Sequence, residues 1–259
     1  MNDLFSLAGR TALITGGSRG IGEMIAEGFL RAGAKVYISS RKPAACIETA
    51  ERLSVHGVCE PLPADVSNVE GVRDLVRRYG EKESALDVLV NNAGAVWGAG
   101  FSAFPEAGWD KVLDLNLKSP FFLTQALHEQ LKAAASTGRP SKVINIASID
   151  GLSVAPTDTY SYAASKAGLI HLTKQMALAL ARDNIMVSAI APGAFSSEMN
   201  KDARDNPDDV AGKIPAGRIG RSSDMAGAAV FLASSAGDYV VGSTLTVDGG
   251  AAFARLAIG

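Results

Sequence analysis

Cysteine and histidine are scarce in this chain, with 2 Cys and 3 His among 259 residues. Cys46 and Cys59 form neither a CxxC pair nor a zinc pattern. That excludes a disulfide framework, and free buried thiols in a reducing cytosol are expected. His56, His128 and His171 are scattered, and no His, Cys and carboxylate set has ligand spacing, so a catalytic metal has no support. An excess of one charge is also missing. The 25 Lys+Arg against 27 Asp+Glu leave a net charge of -2, which argues against a basic nucleic-acid surface or a polybasic membrane patch. No apolar run approaches the roughly 18 residues of a transmembrane helix. The opening Met1-Asn2-Asp3-Leu4-Phe5 lacks a basic segment followed by an apolar one and does not read as a signal peptide. A cytoplasmic location is the expectation.

What is present is glycine, 27 residues of it, and a regular alternation of short apolar runs with helical patterns. Arg10–Thr15, Lys35–Ser39, Val58–Ala64, Leu86–Val90, Lys142–Ala147, Ile185–Ala191 and Ser243–Val247 read as strands. Val58–Ala64 should be short because it carries Pro61 and Pro63. Helical periodicity covers Ile21–Ala32, Pro43–Val55, Val69–Tyr79, Trp109–Ala135, Thr159–Ala181 and Met225–Ser234. Strands joined by helical crossovers predict a parallel sheet covered on both faces. Right-handed crossovers then give a single-domain, doubly wound Rossmann-type α/β fold with a seven-stranded sheet. The polar stretch 194–220 breaks the rhythm and is expected to act as a lid-like insertion.

After the first strand comes Thr15-Gly16-Gly17-Ser18-Arg19-Gly20-Ile21-Gly22. Glycines at a strand-to-helix turn let the backbone approach a pyrophosphate, which is held by free N–H groups and the positive end of the helix. The second strand ends Ser39-Ser40-Arg41, with no acidic residue to bind a ribose 2′-hydroxyl. Arg41, with Ser40 beside it and Arg19 in the glycine turn, would instead grip a 2′-phosphate. NADP(H) is therefore the expected cofactor.

Further motifs follow in order: Asn91-Asn92-Ala93-Gly94, Ser148, Tyr162-Ala163-Ala164-Ser165-Lys166, Pro192-Gly193 and Val247-Asp248-Gly249-Gly250. With the glycine turn, they resemble the short-chain dehydrogenase/reductase family over essentially the whole chain. Within it the sequence looks most like the NADPH-dependent 3-oxoacyl reductases of a branch linked to rhamnolipid synthesis, which share openings such as Phe5-Ser6-Leu7-Ala8-Gly9-Arg10. The resemblance implies a catalytic set of Asn116, Ser148, Tyr162 and Lys166. It implies that Asp65 and Val66 flank the adenine and that Asn92 packs against its ribose. It also places Gly193, Phe195 and Ser197 near the nicotinamide. Tyr162 and Lys166 would hold the ribose on that side, and Asn116 would hold a water that feeds protons past Lys166. Ser148 and Tyr162 stand one residue further apart than is common in the family, which puts the loop shape between Asp150 and Asp158 in question.

The chemistry can also be read from the residues. Tyr162 and Lys166 lie four apart and share a helix face. An ammonium beside a phenol favours the phenolate. Bringing a tyrosine from about 10 to about 7 takes roughly 4 kcal/mol. Such a phenol could donate a proton to a forming alkoxide, with the Ser148 hydroxyl stabilising the carbonyl oxygen. Tyr160 is read as a packing residue. Trp97, Phe101, Phe195 and Met199, with Ile149 and Leu152, should make a mostly apolar pocket around the carbonyl.

The leading expectation is an NADPH-dependent carbonyl reductase acting on a 3-oxoacyl thioester or a related apolar ketone. A sugar or polyol dehydrogenase resembling the gluconate-type relatives is the alternative. A non-catalytic NADP-binding regulator fits less well, because a pure binder needs no Ser148, Tyr162 and Lys166 set. Asp183 stands where members of fatty-acid synthesis present a basic residue to an acyl carrier protein, which weakens the case for such docking. The family implies a homo-oligomer, a tetramer or a dimer, and small residues at Ala163–Gly168 and Met176–Ala181 would permit close helix packing.

Overall fold

The sheet follows from where the apolar runs end. In the computed structural model, which describes residues 2–254, seven parallel strands stand in the order β3-β2-β1-β4-β5-β6-β7. They are β1 (Thr11–Thr15), β2 (Lys35–Ser39), β3 (Cys59–Pro61), β4 (Val88–Asn91), β5 (Ser141–Ile146), β6 (Ile185–Pro192) and β7 (Thr244–Val247). The doubly wound expectation holds, and β3 is cut to three residues at its prolines. Chain order reverses between β1 and β4, whose register is Ala12↔Val88 to Ile14↔Val90. The connections from these two strands leave in opposite directions, so a crevice opens at their carboxyl ends.

Side chains alternate across the sheet. Ala12, Ile14, Val36 and Val88 pack with Ile25 and Phe29 of α1 (Gly20–Arg31) and Met225 and Leu232 of α10 (Ser222–Ala233). Leu13, Leu89, Val143 and Val187 face the other way, onto Leu75 of α3 (Val69–Gly80), Leu123 of α5 (Ser119–Ala126) and Met176 of α7 (Tyr160–Leu180). Cores on both faces explain why the strands read as unbroken apolar runs. Gly28 lets α1 close on α10: a Cβ there would lie 2.6 Å from the Ala226 Cβ. The remaining helix of the first half, α2 (Pro43–Leu53), starts on its proline.

The helical stretch expected over Trp109–Ala135 is divided. It comprises α4 (Glu106–Leu113), a π-helical turn (Asp114–Lys118), α5, and α6 (His128–Ala134). The π turn and Pro120 at the start of α5 account for the first breaks, and Leu127, off helical geometry at φ -95° and ψ 7°, separates α5 from α6. Segment 194–220 carries two short helices, α8 (Lys201–Asp205) and α9 (Pro207–Ala211). Cys46 and Cys59 are free and buried, as expected. Among the described residues no His, Cys, Asp and Glu group could hold a metal, and no helix is long and apolar enough to cross a membrane.

Candidate active site

A cleft of about 810 Å³ occupies the crevice between β1 and β4 and continues under the segment after β6. One end is the glycine turn. Gly16 and Gly20 adopt positive φ of 65° and 56°, a conformation that suits glycine alone at little cost. A Cβ on Gly22 would meet the Gly16 carbonyl oxygen at 2.3 Å. The turn is therefore a cradle that any side chain would fill. Thr15 Oγ1 accepts the backbone N–H groups of Asn92 and Ala93, each at 3.0 Å, tying the turn to the end of β4.

Asn92 lines the cleft, but its amide donates to Thr15 O at 2.9 Å and to Gly16 O at 3.1 Å. Both of its donors are spent on the turn. It braces the cradle from within the cleft lining. Asn91 points elsewhere, donating to Asn145 Oδ1 at 2.9 Å and Thr124 Oγ1 at 3.2 Å under the sheet.

Ser18, Arg19 and Ile21 of the turn line the cleft, with Ser40 and Arg41 after β2 and Asp65 and Val66 after β3. Arg19 and Arg41 make no ion pair among the described residues, although surface arginines elsewhere commonly do. Two free guanidinium groups beside a glycine cradle, with no carboxylate at the end of β2, fit a dinucleotide with a 2′-phosphate. Lys42, next to Arg41, also lines this end. Sequence reasoning missed it, though its adjacency to Arg41 was a usable signal.

At the other end Ser148, Tyr162 and Lys166 line the same cleft. Ser148 follows β5 and caps the short turn Ile149–Gly151, its Oγ accepting the Asp150 N–H at 3.2 Å. Tyr162 and Lys166 come from the first turns of α7. Lys166 is buried, and its Nζ donates to Ile146 O at 2.7 Å. The electrostatics differ from the sequence expectation. Burial pushes the Tyr162 phenol up to about 12, Ser148 pulls it down in part, and the Asp150 charge pushes it up further. Burial alone lowers the Lys166 ammonium to about 8. In the protein alone desolvation outweighs the expected lowering of the phenol by its lysine, because the ammonium is itself desolvated and directed at Ile146.

Asn116 stands behind the cleft wall, in the π turn. Its Oδ1 accepts Ala95 N–H at 2.8 Å, and its Nδ2 donates to Ala95 O at 2.9 Å and to Ser165 Oγ at 3.0 Å. Ser165 Oγ in turn donates to the Tyr162 carbonyl at 2.7 Å. Through these bonds the side chain fixes the 95 loop and the Tyr162 turn. Ser165 was not recognised from sequence, since a buried serine one helical turn past a tyrosine carries no signal of its own.

Gly193, Phe195, Ser197 and Met199 complete the wall with Ile149. The apolar pocket is smaller than expected. Trp97 lies against Gly108 and under Lys111, whose Nζ is 5.2 Å from its ring. Phe101 is 83% exposed and packs on Tyr160 at 5.7 Å. Leu152 packs against Ala147 and Ile170. Trp97 and Phe101 lie off the cleft because the loop after β4 carries its aromatics outward, onto α4 and Tyr160, and Leu152, past the turn after β5, is drawn onto Ala147 and Ile170 instead. Tyr160 is a packing residue, as expected, with its hydroxyl donating to Asp158 at 2.8 Å. Asp150 does line the cleft, and sequence reasoning passed over it.

The chain matches the family model described as enoyl-(acyl carrier protein) reductase over residues 16–252. It is 46% identical to the rhamnolipids biosynthesis 3-oxoacyl-[acyl-carrier-protein] reductase of Pseudomonas aeruginosa, across 96% of this chain and 99% of that protein. It is 39% identical to the 2-dehydro-3-deoxy-D-gluconate 5-dehydrogenase of Escherichia coli, across 95% and 96%. Among solved structures it resembles the Pseudomonas aeruginosa RhlG/NADP active-site complex, with a TM-score of 0.95, 45% identity and coverage of 98% of this chain and 100% of that one. A gluconate 5-dehydrogenase from Burkholderia cenocepacia, in complex with NADP and tartrate, aligns with a TM-score of 0.88 at 37% identity, covering 98% and 99%.

Proposed function

This chain belongs to the short-chain dehydrogenase/reductase family, and on that premise we propose that it is an NADPH-dependent reductase of a 3-oxoacyl thioester. The observation that carries the reading is the convergence of Ser148, Tyr162 and Lys166 in the cleft that holds the glycine cradle with Arg19 and Arg41, which make no ion pair among the described residues. The relatives named for NADP complexes and for 3-oxoacyl reduction support the cofactor and the substrate class.

The glycine turn and the start of α1 hold the pyrophosphate. Arg41, Arg19 and Ser40 take the 2′-phosphate, and Asp65 and Val66 border the adenine. Bound NADPH supplies the hydride. Ser148 Oγ–H donates to the substrate carbonyl oxygen and stabilises the charge that develops there. Tyr162 Oη–H donates the proton as general acid. A phenol held high by burial keeps its proton until an alkoxide forms beside it. Lys166, fixed through Ile146 O, orients the ribose hydroxyls next to Tyr162. Asn116 is a positioning residue, acting through Ser165 on the Tyr162 turn. The segment 194–220, carrying Phe195, Ser197 and Met199, closes over the substrate as a lid within a single 1–259 domain.

The gluconate-type relatives support a second reading, reduction or oxidation of a sugar acid at the same site. Consumption of NADPH, followed by absorbance with a 3-oxoacyl thioester and with 5-keto-gluconate, tests the two. Preferred turnover of the thioester is expected. Turnover of the sugar acid alone would replace the first reading with the second.

A further inference from the structure

We infer that Asp150 is a specificity-determining residue that keeps carboxylates away from the reacting carbonyl, so that a 3-oxo acid is accepted as its uncharged thioester or ester. The inference rests on the 3-oxoacyl reading above.

Asp150 sits two residues past Ser148, in the turn Ile149–Gly151, and its N–H is bonded to Ser148 Oγ. The turn cannot drift. A Cβ on Gly151 would lie 2.6 Å from the Lys166 carbonyl carbon and 2.7 Å from Ala167 N, so its backbone is pressed onto α7. Asp150 lines the cleft. Its carboxylate takes part in no hydrogen bond and no ion pair among the described residues. Burial holds the carboxyl above its usual range, with no cation to offset it. Asp150 and Tyr162 line the same cleft, and the Asp150 charge raises the Tyr162 phenol.

The other charges of the cleft do not compensate. Lys166 is turned to Ile146 O. Arg19, Arg41 and Lys42 stand at the glycine-turn end, and the lid brings its one lining cation, Lys201, between Glu198 and Asp202. A 3-oxo acid carries its carboxylate two carbons from the ketone. With the ketone oxygen on Ser148 and Tyr162, that anion falls in the field of an uncompensated carboxylate in a half-dry cleft, where like charges repel strongly. A thioester or ester brings no charge there.

The test compares acetoacetate with ethyl acetoacetate at about pH 8, using the wild type, Asp150→Asn and Asp150→Ser. With NADPH, the ester-to-acid ratio of kcat/KM should fall about tenfold or more in the variants. The same pair is titrated calorimetrically onto the NADP⁺-loaded enzyme, where no hydride is available and the ketone stays intact. There the acetoacetate Kd should fall about tenfold relative to the ester. An unchanged ratio in both measurements, or acetoacetate that fails to bind the variants, overturns the inference. If neither ketone is reduced but the Kd ratio shifts, the 3-oxoacyl reading fails and the role of Asp150 stands. If the ester is reduced with ratios indifferent to residue 150, the reverse holds.

Discussion

Lys166 Nζ lies 5.7 Å from the centre of the Tyr162 ring, and the two groups titrate in opposite directions. The phenol is pushed up to about 12 and the ammonium down to about 8, both mainly by burial. Two groups one helical turn apart would be expected to stabilise each other's charged forms. Here the loss on leaving water dominates both groups, and the lysine spends its hydrogen bond on Ile146. The phenol is thereby held protonated beside the lysine, which suits a proton donor that must not ionise before substrate arrives.

Tyr162→Phe should abolish the proton donor while sparing the cradle. A loss of about 10²- to 10⁴-fold in turnover is expected, as for other general acids. The NADPH Kd, read by fluorescence of the reduced nicotinamide, should stay within about threefold. A variant that turns over at the normal rate would reject the acid assignment.

Arg41→Ala should separate the two dinucleotides. Arg41 lines the cleft and makes no ion pair among the described residues, so its charge is available to a 2′-phosphate. Loss of one charge-assisted contact of about 1.5–3 kcal/mol corresponds to roughly 10- to 100-fold weaker NADPH binding. NADH binding should hardly move. Equal weakening of both in parallel titrations would show that Arg41 does not meet the phosphate.

Gly22→Ala should damage both dinucleotides alike. The new Cβ would lie 2.3 Å from Gly16 O and 2.4 Å from Asn92 Nδ2, so the turn must open. Weaker binding of NADPH and NADH together is expected, with a lowered Tm. Unchanged affinity for both would contradict the cradle assignment.

Lys166→Met gives a stability test with a defined sign. The folded lysine holds its proton less tightly than the unfolded one, whose ordinary value is 10.5. Between about pH 8 and 10.5 the unfolded chain binds more protons, so the lysine's contribution rises with pH in that window. Below about pH 8 a buried ammonium is a cost in full. In urea unfolding without cofactor, the stability of the wild type minus that of Lys166→Met should therefore increase from pH 7.5 to 10, by about 1–3 kcal/mol. A flat or falling difference would mean that the ammonium is not desolvated.

The strand runs, the glycine turn and the Tyr162 and Lys166 spacing were legible because each is local. A strand buried on both faces has to be apolar along its length, a backbone touching phosphate has to be glycine, and a four-residue interval lies on one helix face whatever surrounds it. For Asn92 and Asn116 the sequence marked the positions, and the protein partners of their amides came only from the fold. Their amides could equally have met ligand or backbone, and only the folded chain shows their donors taken up by Thr15, Gly16, Ala95 and Ser165. The misplaced aromatics have the same origin. Trp97 and Phe101 sit in the expected loop, yet its path turns them onto α4 and Tyr160.

Residue type and interval thus determined, without any coordinates, the parallel α/β layout, a dinucleotide cradle and the sharing of one helix face by Tyr162 and Lys166. Tertiary structure alone decided how those groups are charged and which neighbours face the substrate. Desolvation and hydrogen-bond competition depend on everything packed within a few ångströms, and chain separation does not report it. Tyr162 is held high and Asp150 is left without a cation for that reason.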